Sequence, residues 1–448
     1  MEEMTSKRLR WQMRGVGVLA AALMAPAAYA QTASTPTFSK NIAPIFQAKC
    51  QSCHRPGQMG PMSLLTYEDA RPWSRSIKAK VSARMMPPWH LDRTVGIQKF
   101  QNDLSLTDEQ IDTIVRWVDA GAPQGEPKDL PPAVKWPADD VWRLADDYGA
   151  PDLVVKSEPW TQAAQGQDEW WQPVVDTGLT EDRWVRAIEI RPSATARRIV
   201  HHVVTYLLQE EEKYGAVDVS DAGGGYFSEF SVGKIGDRFR ENTGKLMKKG
   251  SKIRFDIHYH SVGEKLTDRS EIALWFYPKG IVPKYRVFPQ AMGVQDAMRT
   301  FDLPPGKVTM HEAFVALPQP ARLENFQPHM HVRGKAMSME AVYPDGHSEM
   351  LSYVDRFDFN WHVNYVYADD VAPVLPKGTI LHIKAWHDNS AANKANPDPT
   401  QWVGWGQRSY DDMYHAHVNV TYLTQEDYDQ IIAERKKAKA AGATNQQQ

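Results

Sequence analysis

The two cysteines of this 448-residue sequence lie in one pentapeptide, Cys50-Gln51-Ser52-Cys53-His54. Two thiols three residues apart can both add to the vinyl groups of one heme, and the imidazole of the next residue can bind its iron. A redox dithiol or a structural disulfide is the alternative, but a thioredoxin-like dithiol requires a βαβ pattern that the flanking sequence lacks. The spacing therefore predicts one covalent heme c, attached through Cys50 and Cys53 and ligated by His54.

The opposite axial ligand of such a heme should be a methionine or histidine further along the chain. We expect Met86, because the prolines that follow it favour an extended segment that can hold a thioether against iron. A thioether ligand raises the heme potential, which suits an electron carrier. Met85 is the next choice, and the other candidates are Met59, Met62 and His90.

Histidines dominate the second half of the sequence, where 13 of the 15 follow residue 200. In a β-strand, residues two apart share a face, so an H-x-H pair can converge on one ion. Two adjacent histidines need a twist or a bulge to do so. Imidazole suits zinc, copper, iron and nickel, whereas thioether selects Cu(I). Because no cysteine is left for a structural zinc site, copper is favoured. The clusters are His201-His202, His258-Tyr259-His260, His329-Met330-His331 and His415-Ala416-His417.

The remaining histidines of this sequence are isolated, and an isolated histidine is more often an ordinary core or surface residue than a ligand. That interpretation applies to His90, His311, His347, His362, His382 and His387.

The elements that must position these residues form a small helical part and a long β-rich part. Residues 38–49 predict a short helix that leads into the cysteine pair. A second helix, Leu106 to Ala120, has Thr107 as its expected N-cap. A proline-rich stretch between Pro123 and Pro137 is typical of a linker. Beyond it, short alternating runs broken by Gly, Pro, Asp and Asn predict two all-β sandwiches or jelly rolls in tandem.

The first thirty residues have the order of a secretory signal: basic residues, an apolar run from Val16 to Ala25, and Ala28-Tyr29-Ala30. We expect cleavage after Ala30 and a periplasmic or secreted product. We expect no membrane span in that product, because no later segment is long and apolar enough to cross a bilayer. A formal charge of -3 gives no basis for binding nucleic acid. A hydrophobic content of 42% excludes disorder as the main state.

The helical part, from FSKNIAPIF to LTDEQIDTIVRWVDAGAP, resembles a small class I-type cytochrome c. The order of motifs after it resembles the copper type II, ascorbate-dependent monooxygenases, the family of peptidylglycine α-hydroxylating monooxygenase and dopamine β-monooxygenase. This second resemblance covers about residues 145–424 and is carried by His201-His202, IHYHSVG, PHMHVRGK and WGQRSYDDM.

The resemblance implies two copper ions, one in each of two jelly-roll domains. His260 and His415 would then lie beside the ligands without binding. The first ion would be held by His201, His202 and His258, with His260 as the alternative to His258, and the second by His329, His331 and Met413. The expected segments are a signal peptide (1–30), an all-α cytochrome c-like heme domain (31–128), a linker (129–144), a first copper-binding β-sandwich (145–290), a second (291–424) and a tail (425–448).

The same resemblance implies hydroxylation of a C–H bond of a small substrate with O2 at the copper of His329, His331 and Met413. Electrons would come through the fused heme from a small reductant or a periplasmic redox protein. The alternative is a non-catalytic heme and copper protein for electron transfer or copper handling. The sequence departs from the peptide-amidating members at Gln327, where they have a substrate-binding arginine, and at His415 and His417, where they have Asn and Tyr. A peptide C-terminus is therefore a poor candidate substrate. The disulfides of the animal enzymes have no counterpart here.

Overall fold

The structure is a computed structural model that describes residues 34–138, 140–210, 225–231, 234 and 236–445. The expected signal peptide, residues 1–30, lies outside the described residues. All elements named below belong to the unit that spans residues 36–448.

The first part of the chain is helical. Its helix α4 begins at the expected N-cap, since the Thr107 hydroxyl accepts a hydrogen bond from the Gln110 backbone N–H and the Gln110 side chain accepts one from the Thr107 N–H. The helices are α1 (Ala43–Lys49), α2 (Tyr67–Ala70), α3 (Ser74–Ser82), α4 (Asp108–Asp119) and α5 (Ala145–Tyr148), with a π-helical turn at Phe38–Ile42 and 3-10 turns at Arg71–Trp73 and Pro127–Asp129.

Aromatic packing holds the helical part together and places the cysteine pair at its edge. The Phe46 and Trp117 rings meet edge to face with centroids 6.4 Å apart, and Phe38 packs against both. Cys50 and Met62 are partly buried against this core. Because α1 ends at Lys49, the pentapeptide starts directly from a helix anchored in the core.

Strands are the main secondary structure of the described chain after residue 150. The strands up to residue 276 are β1 (Leu153–Lys156), β2 (Trp160–Gln162), β3 (Glu169–Trp171), β4 (Val174–Asp176), β5 (Arg183–Arg191), β6 (Val200–Leu208), β7 (Tyr226–Phe230), β8 (Asp237–Arg238), β9 (Thr243–Met247), β10 (Lys252–Tyr259), β11 (Leu266–Asp268) and β12 (Glu271–Phe276), with a 3-10 turn at Arg197–Ile199.

The strands after residue 284 are accompanied by two helices. None of the helices in the described part of the chain is long and apolar enough to cross a membrane. The elements are β13 (Tyr285–Met292), α6 (Val294–Thr300), β14 (Asp302–Leu303), β15 (Val308–Ala316), β16 (Ala321–Leu323), β17 (Asn325–Met330), β18 (Gly334–Val342), β19 (Ser348–Val354), β20 (Tyr365–Val366), β21 (Val374–Leu375), β22 (Ile380–Asp388), β23 (Val403–Gly404), β24 (Tyr414–Tyr422) and α7 (Gln425–Asn445).

The strands form sandwich-like layers, which confirms the β-sandwich class. An 11-stranded sheet has the order β1-β12-β5-β9-β13-β24-β16-β21, with β8, β17 and β20 beside it. A five-stranded sheet (β3-β10-β6-β7, with β4) and a four-stranded sheet (β15-β22-β18-β19) accompany it, and β11-β2 and β14-β23 form two small ribbons. The first core joins residues of the large and five-stranded sheets. The second joins residues of the large and four-stranded sheets.

The large sheet runs through the expected join between the two sandwiches. Strand β13 pairs in parallel with β9 and antiparallel with β24. The expected boundary between residues 290 and 291 therefore falls inside a strand. The two cores are distinct, but the sheet that backs them is shared.

A segment that the sequence assigns to the heme domain packs in the second sandwich. Trp89, Leu91 and Phe100 belong to the second core. The Trp89 ring meets Tyr365 with centroids 4.8 Å apart. Isolated bridges pair Leu91 with Val354 and Phe100 with Tyr367. The chain thus leaves the helical core after α3, anchors on the later sandwich and returns to form α4.

Replacing Trp89 with alanine should test this anchoring. Trp89 is 8% exposed, and removing a buried tryptophan costs about 3–5 kcal/mol of unfolding free energy. The control Trp73→Ala removes a ring that is 44% exposed and should cost far less. Urea denaturation measures both variants, and equal small losses would contradict the packing.

Candidate metal centre

Histidines from both sandwiches meet in one buried group, which we name the histidine cluster. Its members are His201, His202, His258, His329, His331, His362, His415 and His417. The His202 and His329 ring centroids lie 5.6 Å apart, and His362 lies 4.5 Å from His329 and 5.6 Å from His201. The two expected ligand sets are therefore neighbours within one continuous group.

A β-bulge explains how two adjacent histidines can face the same ion. Strands β6 and β10 pair in regular register up to His202 opposite His258, but the next pair is Val200 opposite Tyr259. His201 is therefore the extra residue of the bulge, a device that re-aims side chains beside functional sites. One ring nitrogen from each of His201, His202 and His258 lies within 4.8 Å of the other two. The expected need for a bulge at this pair is thus met.

Hydrogen bonds fix the orientation of the His258 ring. Its Nε2 lies 2.8 Å from a carboxylate oxygen of Asp168, which also accepts a hydrogen bond from the Ser409 hydroxyl. The Trp170 ring stacks on the imidazole with centroids 4.5 Å apart. The buried Nδ1 has no hydrogen-bond partner among the described residues. A histidine that donates from one nitrogen and leaves the other free has the arrangement of a metal ligand. His260, the alternative ligand, is outside this group.

One carboxylate positions the backbone at two of the other expected ligands. Asp412 is fully buried, and its Oδ1 accepts hydrogen bonds from the backbone N–H groups of His331 and Met413, both 2.9 Å long. Nδ1 of His331 lies 3.3 Å from the Asp411 carbonyl oxygen, which leaves Nε2 free. The His329 and His331 ring centroids are 5.6 Å apart. The SYDDM segment, which contains the expected ligand Met413, therefore supports the histidine pair through Asp412.

Glu229 and His362 belong to the centre, although the sequence analysis assigned neither to it. Glu229 Oε2 accepts a hydrogen bond from Gln327 Nε2 at 2.7 Å and lies 2.8 Å from His417 Nδ1. His362 Nδ1 lies 3.4 Å from Oε1. His362, which the sequence analysis interpreted as an isolated residue, thus lies within the histidine cluster. Glu229 stands alone in a five-residue strand without a motif, so no sequence signal could have found it.

The two histidines where the sequence departs from its resemblance also join the cluster. The His415 ring stacks on His329 with centroids 4.5 Å apart and planes 12° apart. Its Nε2 lies 2.9 Å from His417 Nε2. These contacts connect the second histidine pair to Glu229 through His417.

Burial keeps most of the cluster uncharged near neutral pH. Burial, reinforced by neighbouring histidines, lowers the pKa values of His201, His202, His329 and His415 well below their ordinary value. Burial also lowers the pKa of His331 to about 4. Neutral imidazole is the form that binds metal ions. The residues present therefore fit a metal centre at pH 7.

Glu229 is a buried carboxylate whose neighbours outweigh the effect of burial on its pKa. Burial by itself would raise the pKa of Glu229, but the adjacent His417 and His362 hold that pKa well below its ordinary value. The centre thus contains a buried carboxylate among imidazoles.

The cysteine pentapeptide forms a turn with a free imidazole nitrogen. The backbone N–H groups of Cys53 and His54 both donate to the Cys50 carbonyl. Burial, with the neighbouring Cys53, raises the pKa of the Cys50 thiol to about 12. His54 Nδ1 lies 3.2 Å from the Met62 carbonyl oxygen, which leaves Nε2 available. A Cβ atom at position 60 would lie 2.5 Å from His54 Nδ1. Glycine at this position therefore leaves room for the His54 ring.

A cavity of about 660 Å³ opens beside Cys53, between the helical part and the sandwiches. This volume lies in the range of cofactor sites. Its wall carries basic side chains that could face the carboxylates of a heme, among them Arg55, Arg143 and Arg191. Cys53 is the one expected heme-attachment residue among the described residues that line this cavity, since Cys50 and His54 are not part of its wall.

The axial-ligand candidates differ in their relation to this cavity. Met59 is the methionine among the described residues that line it. Met86, the expected ligand, is half-buried and is not part of that wall. Met85 is 45% exposed, and Met62 packs against the helical core. His90 is buried, and its backbone N–H donates to Tyr365. Met59 therefore joins Met86 as a ligand to test.

The other isolated histidines make ordinary contacts. His347 and His382 lie beside the carboxylates of Asp345 and Glu312. His311 and His387 pack with Phe301. None of these four is part of the histidine cluster as defined above.

Comparison with known proteins assigns no family to this chain. No family model matches it, and no curated protein matches it. The major capsid protein P2 from bacteriophage PM2 is similar over 60% of this chain and 96% of its own, with 12% identity and a TM-score of 0.28. A tandem CBM22-1-CBM22-2 domain from Paenibacillus barcinonensis Xyn10C aligns over 61% and 98%, with 9% identity and a TM-score of 0.15. Scores this low assign neither a fold family nor a function.

The buried histidines predict that the metal-free protein loses stability in mild acid. Below the ordinary histidine pKa of 6.5, the histidines of the unfolded chain bind protons, whereas the buried histidines of the folded cluster stay neutral. The free energy of unfolding therefore decreases as the pH falls from 6.5 towards about 4, the folded-state pKa of His331. Each such histidine contributes about 1.4 kcal/mol per pH unit. Unfolding free energies of chelator-treated protein between pH 7.5 and 4.5 measure the slope.

His415→Asn should reduce the slope of unfolding free energy against pH by the contribution of about one proton. The matched control is His347→Asn, since the His347 side chain is 58% exposed, and it should leave the slope unchanged. An unaltered slope in His415→Asn would contradict the assignment of the cluster as the acid-sensitive element.

Proposed function

We propose that this chain is an exported copper- and heme-dependent monooxygenase that hydroxylates a C–H bond of a small substrate with O2. The observation that carries the proposal is the bulge at His201, which brings His201, His202 and His258 together beside the second histidine pair. On this proposal the sandwiches are copper-binding jelly rolls and the helical part is a cytochrome c. The reaction would also need an electron donor.

The first copper would be held by His201, His202 and His258, and the second by His329, His331 and Met413. Copper bound by such donors supplies one-electron redox chemistry and dioxygen activation. The protein itself positions the ligand residues and excludes bulk water from the metal centre. Asp168 holds the His258 ring, Asp412 holds the backbone at His331 and Met413, and the surrounding cores keep bulk water away from most of the cluster.

The path between the cavity and the cluster is short. Asn325 lines the cavity beside Cys53, and its Nδ2 lies 3.3 Å from the His417 carbonyl oxygen and 2.7 Å from Asn364 Oδ1. His417 in turn contacts Glu229. One layer of side chains therefore separates the proposed heme cavity from the cluster, which supports electron delivery from one to the other.

The burial of the cluster favours a second candidate function. All of its histidines are buried except His201, which is half-buried, and none lines the large cavity. A buried centre of this kind also suits a protein that passes electrons or handles copper without turning over a substrate. Product-forming oxygen consumption in a substrate screen separates the two functions.

Metal analysis with electron paramagnetic resonance tests the proposed cofactors. The purified protein should contain two coppers and one heme per chain. His258→Ala should lose one Cu(II) signal, because its unpartnered Nδ1 would be a ligand, and His347→Ala should lose none. Zinc in place of copper, or equal signals in both variants, would overturn the assignment.

Electron delivery is tested by mixing copper-free protein, with its heme reduced anaerobically, with Cu(II) while the heme absorbance is followed. The wild type should reoxidise its heme rapidly, because copper in the cluster lies one side-chain layer from the cavity. His258→Ala should do so much more slowly. Equal rates would show that the electrons leave the heme by another route, such as direct contact with free Cu(II).

A further inference from the structure

Glu229 is a carboxylate with no exposed surface on its side chain. Its oxygens contact Gln327 at 2.7 Å, His417 at 2.8 Å and His362 at 3.4 Å, and His329 lies 3.9 Å away. Each of these partners is an amide or an imidazole. Its ion-pair contacts in the described part of the chain are all to imidazoles, those of His417, His362 and His329, and no lysine or arginine is among them. A buried charge in a folded protein is normally paired or bound to a metal ion.

The atoms around this carboxylate have the spacing of a metal site. A nitrogen of His202, an oxygen of Glu229 and a nitrogen of His362 all lie within 4.8 Å of one another, and all three residues are buried. Nε2 of His362 is buried without a hydrogen-bond partner among the described residues. Nδ1 of the same ring lies 3.4 Å from Glu229 Oε1, so one nitrogen of His362 faces the carboxylate and the other has no partner.

We propose that His202, Glu229 and His362 bind a divalent transition-metal ion. Two imidazole nitrogens and a carboxylate oxygen are ligands that Zn²⁺ commonly binds. Because the set contains no sulfur ligand, it suits a divalent ion such as Zn²⁺ better than Cu(I). His202 and Glu229 come from the five-stranded sheet and His362 from the segment after β19. The ion would therefore link the two sandwiches directly.

The proposed ion shares a ligand with the three-histidine group. His202 belongs to both sets of converging atoms, and a neutral imidazole offers one lone pair. An ion at Glu229 therefore removes His202 from the group it forms with His201 and His258. The two ions would therefore compete for His202, and a divalent ion at Glu229 would weaken binding of the first copper.

Zn²⁺ titration of copper-free, heme-containing protein in a His258→Ala background tests the site, because this background removes a ligand that only the three-histidine group uses. Adding Glu229→Gln should reduce binding by one Zn²⁺ equivalent, with an affinity at least about 100-fold weaker at that position. The matched control is Glu189→Gln, which changes a buried glutamate that binds the backbone at Arg143 and Leu144. It should bind like the parent.

His362→Asn provides a second test if Glu229→Gln does not fold, and circular dichroism establishes which variants are folded. Loss of the same equivalent in either folded variant supports the site, and retention of parental stoichiometry and affinity in both overturns it. The outcome is independent of oxygen chemistry. A chain that binds this Zn²⁺ but shows no monooxygenase activity would contradict the proposed function alone.

Discussion

The burial of one carboxylate among imidazoles is the constraint on which the rest of this centre depends. Glu229 lies in the five-stranded sheet, but its hydrogen-bonding partners Gln327 and His417 lie in the large sheet. A charge in such a place is costly unless its lone pairs are satisfied. The two sheets must therefore keep this spacing, and the spacing brings the histidines of both sandwiches together.

The other devices of the centre act on single rings or on short backbone segments. The bulge at His201 turns an adjacent pair of histidines towards one point. Asp168 holds the His258 ring, and Asp412 fixes the backbone on both sides of the second pair. Each device uses a local backbone irregularity or a nearby carboxylate. One nitrogen of His201 and one of His258 are left without a hydrogen-bond partner among the described residues.

The sequence predicted what depends on local pattern. Alternation predicted the sandwich class, Thr107 predicted a helix start, and the H-x-H spacing together with the family resemblance predicted which histidines lie close together. It could not predict Glu229 or His362, because their role depends on contacts between residues more than 130 positions apart. For the same reason it did not foresee that Trp89 packs in the later core, or that β13 continues one sheet through both sandwiches.

The central claim is that metal ions bind where the two sets of histidines meet, and anomalous diffraction at the copper edge from crystals of copper-loaded protein measures this most directly. The account predicts anomalous peaks against His201, His202 and His258 and beside His329 and His331, inside the histidine cluster. Peaks confined to surface histidines such as His347, with none in the cluster, would contradict it.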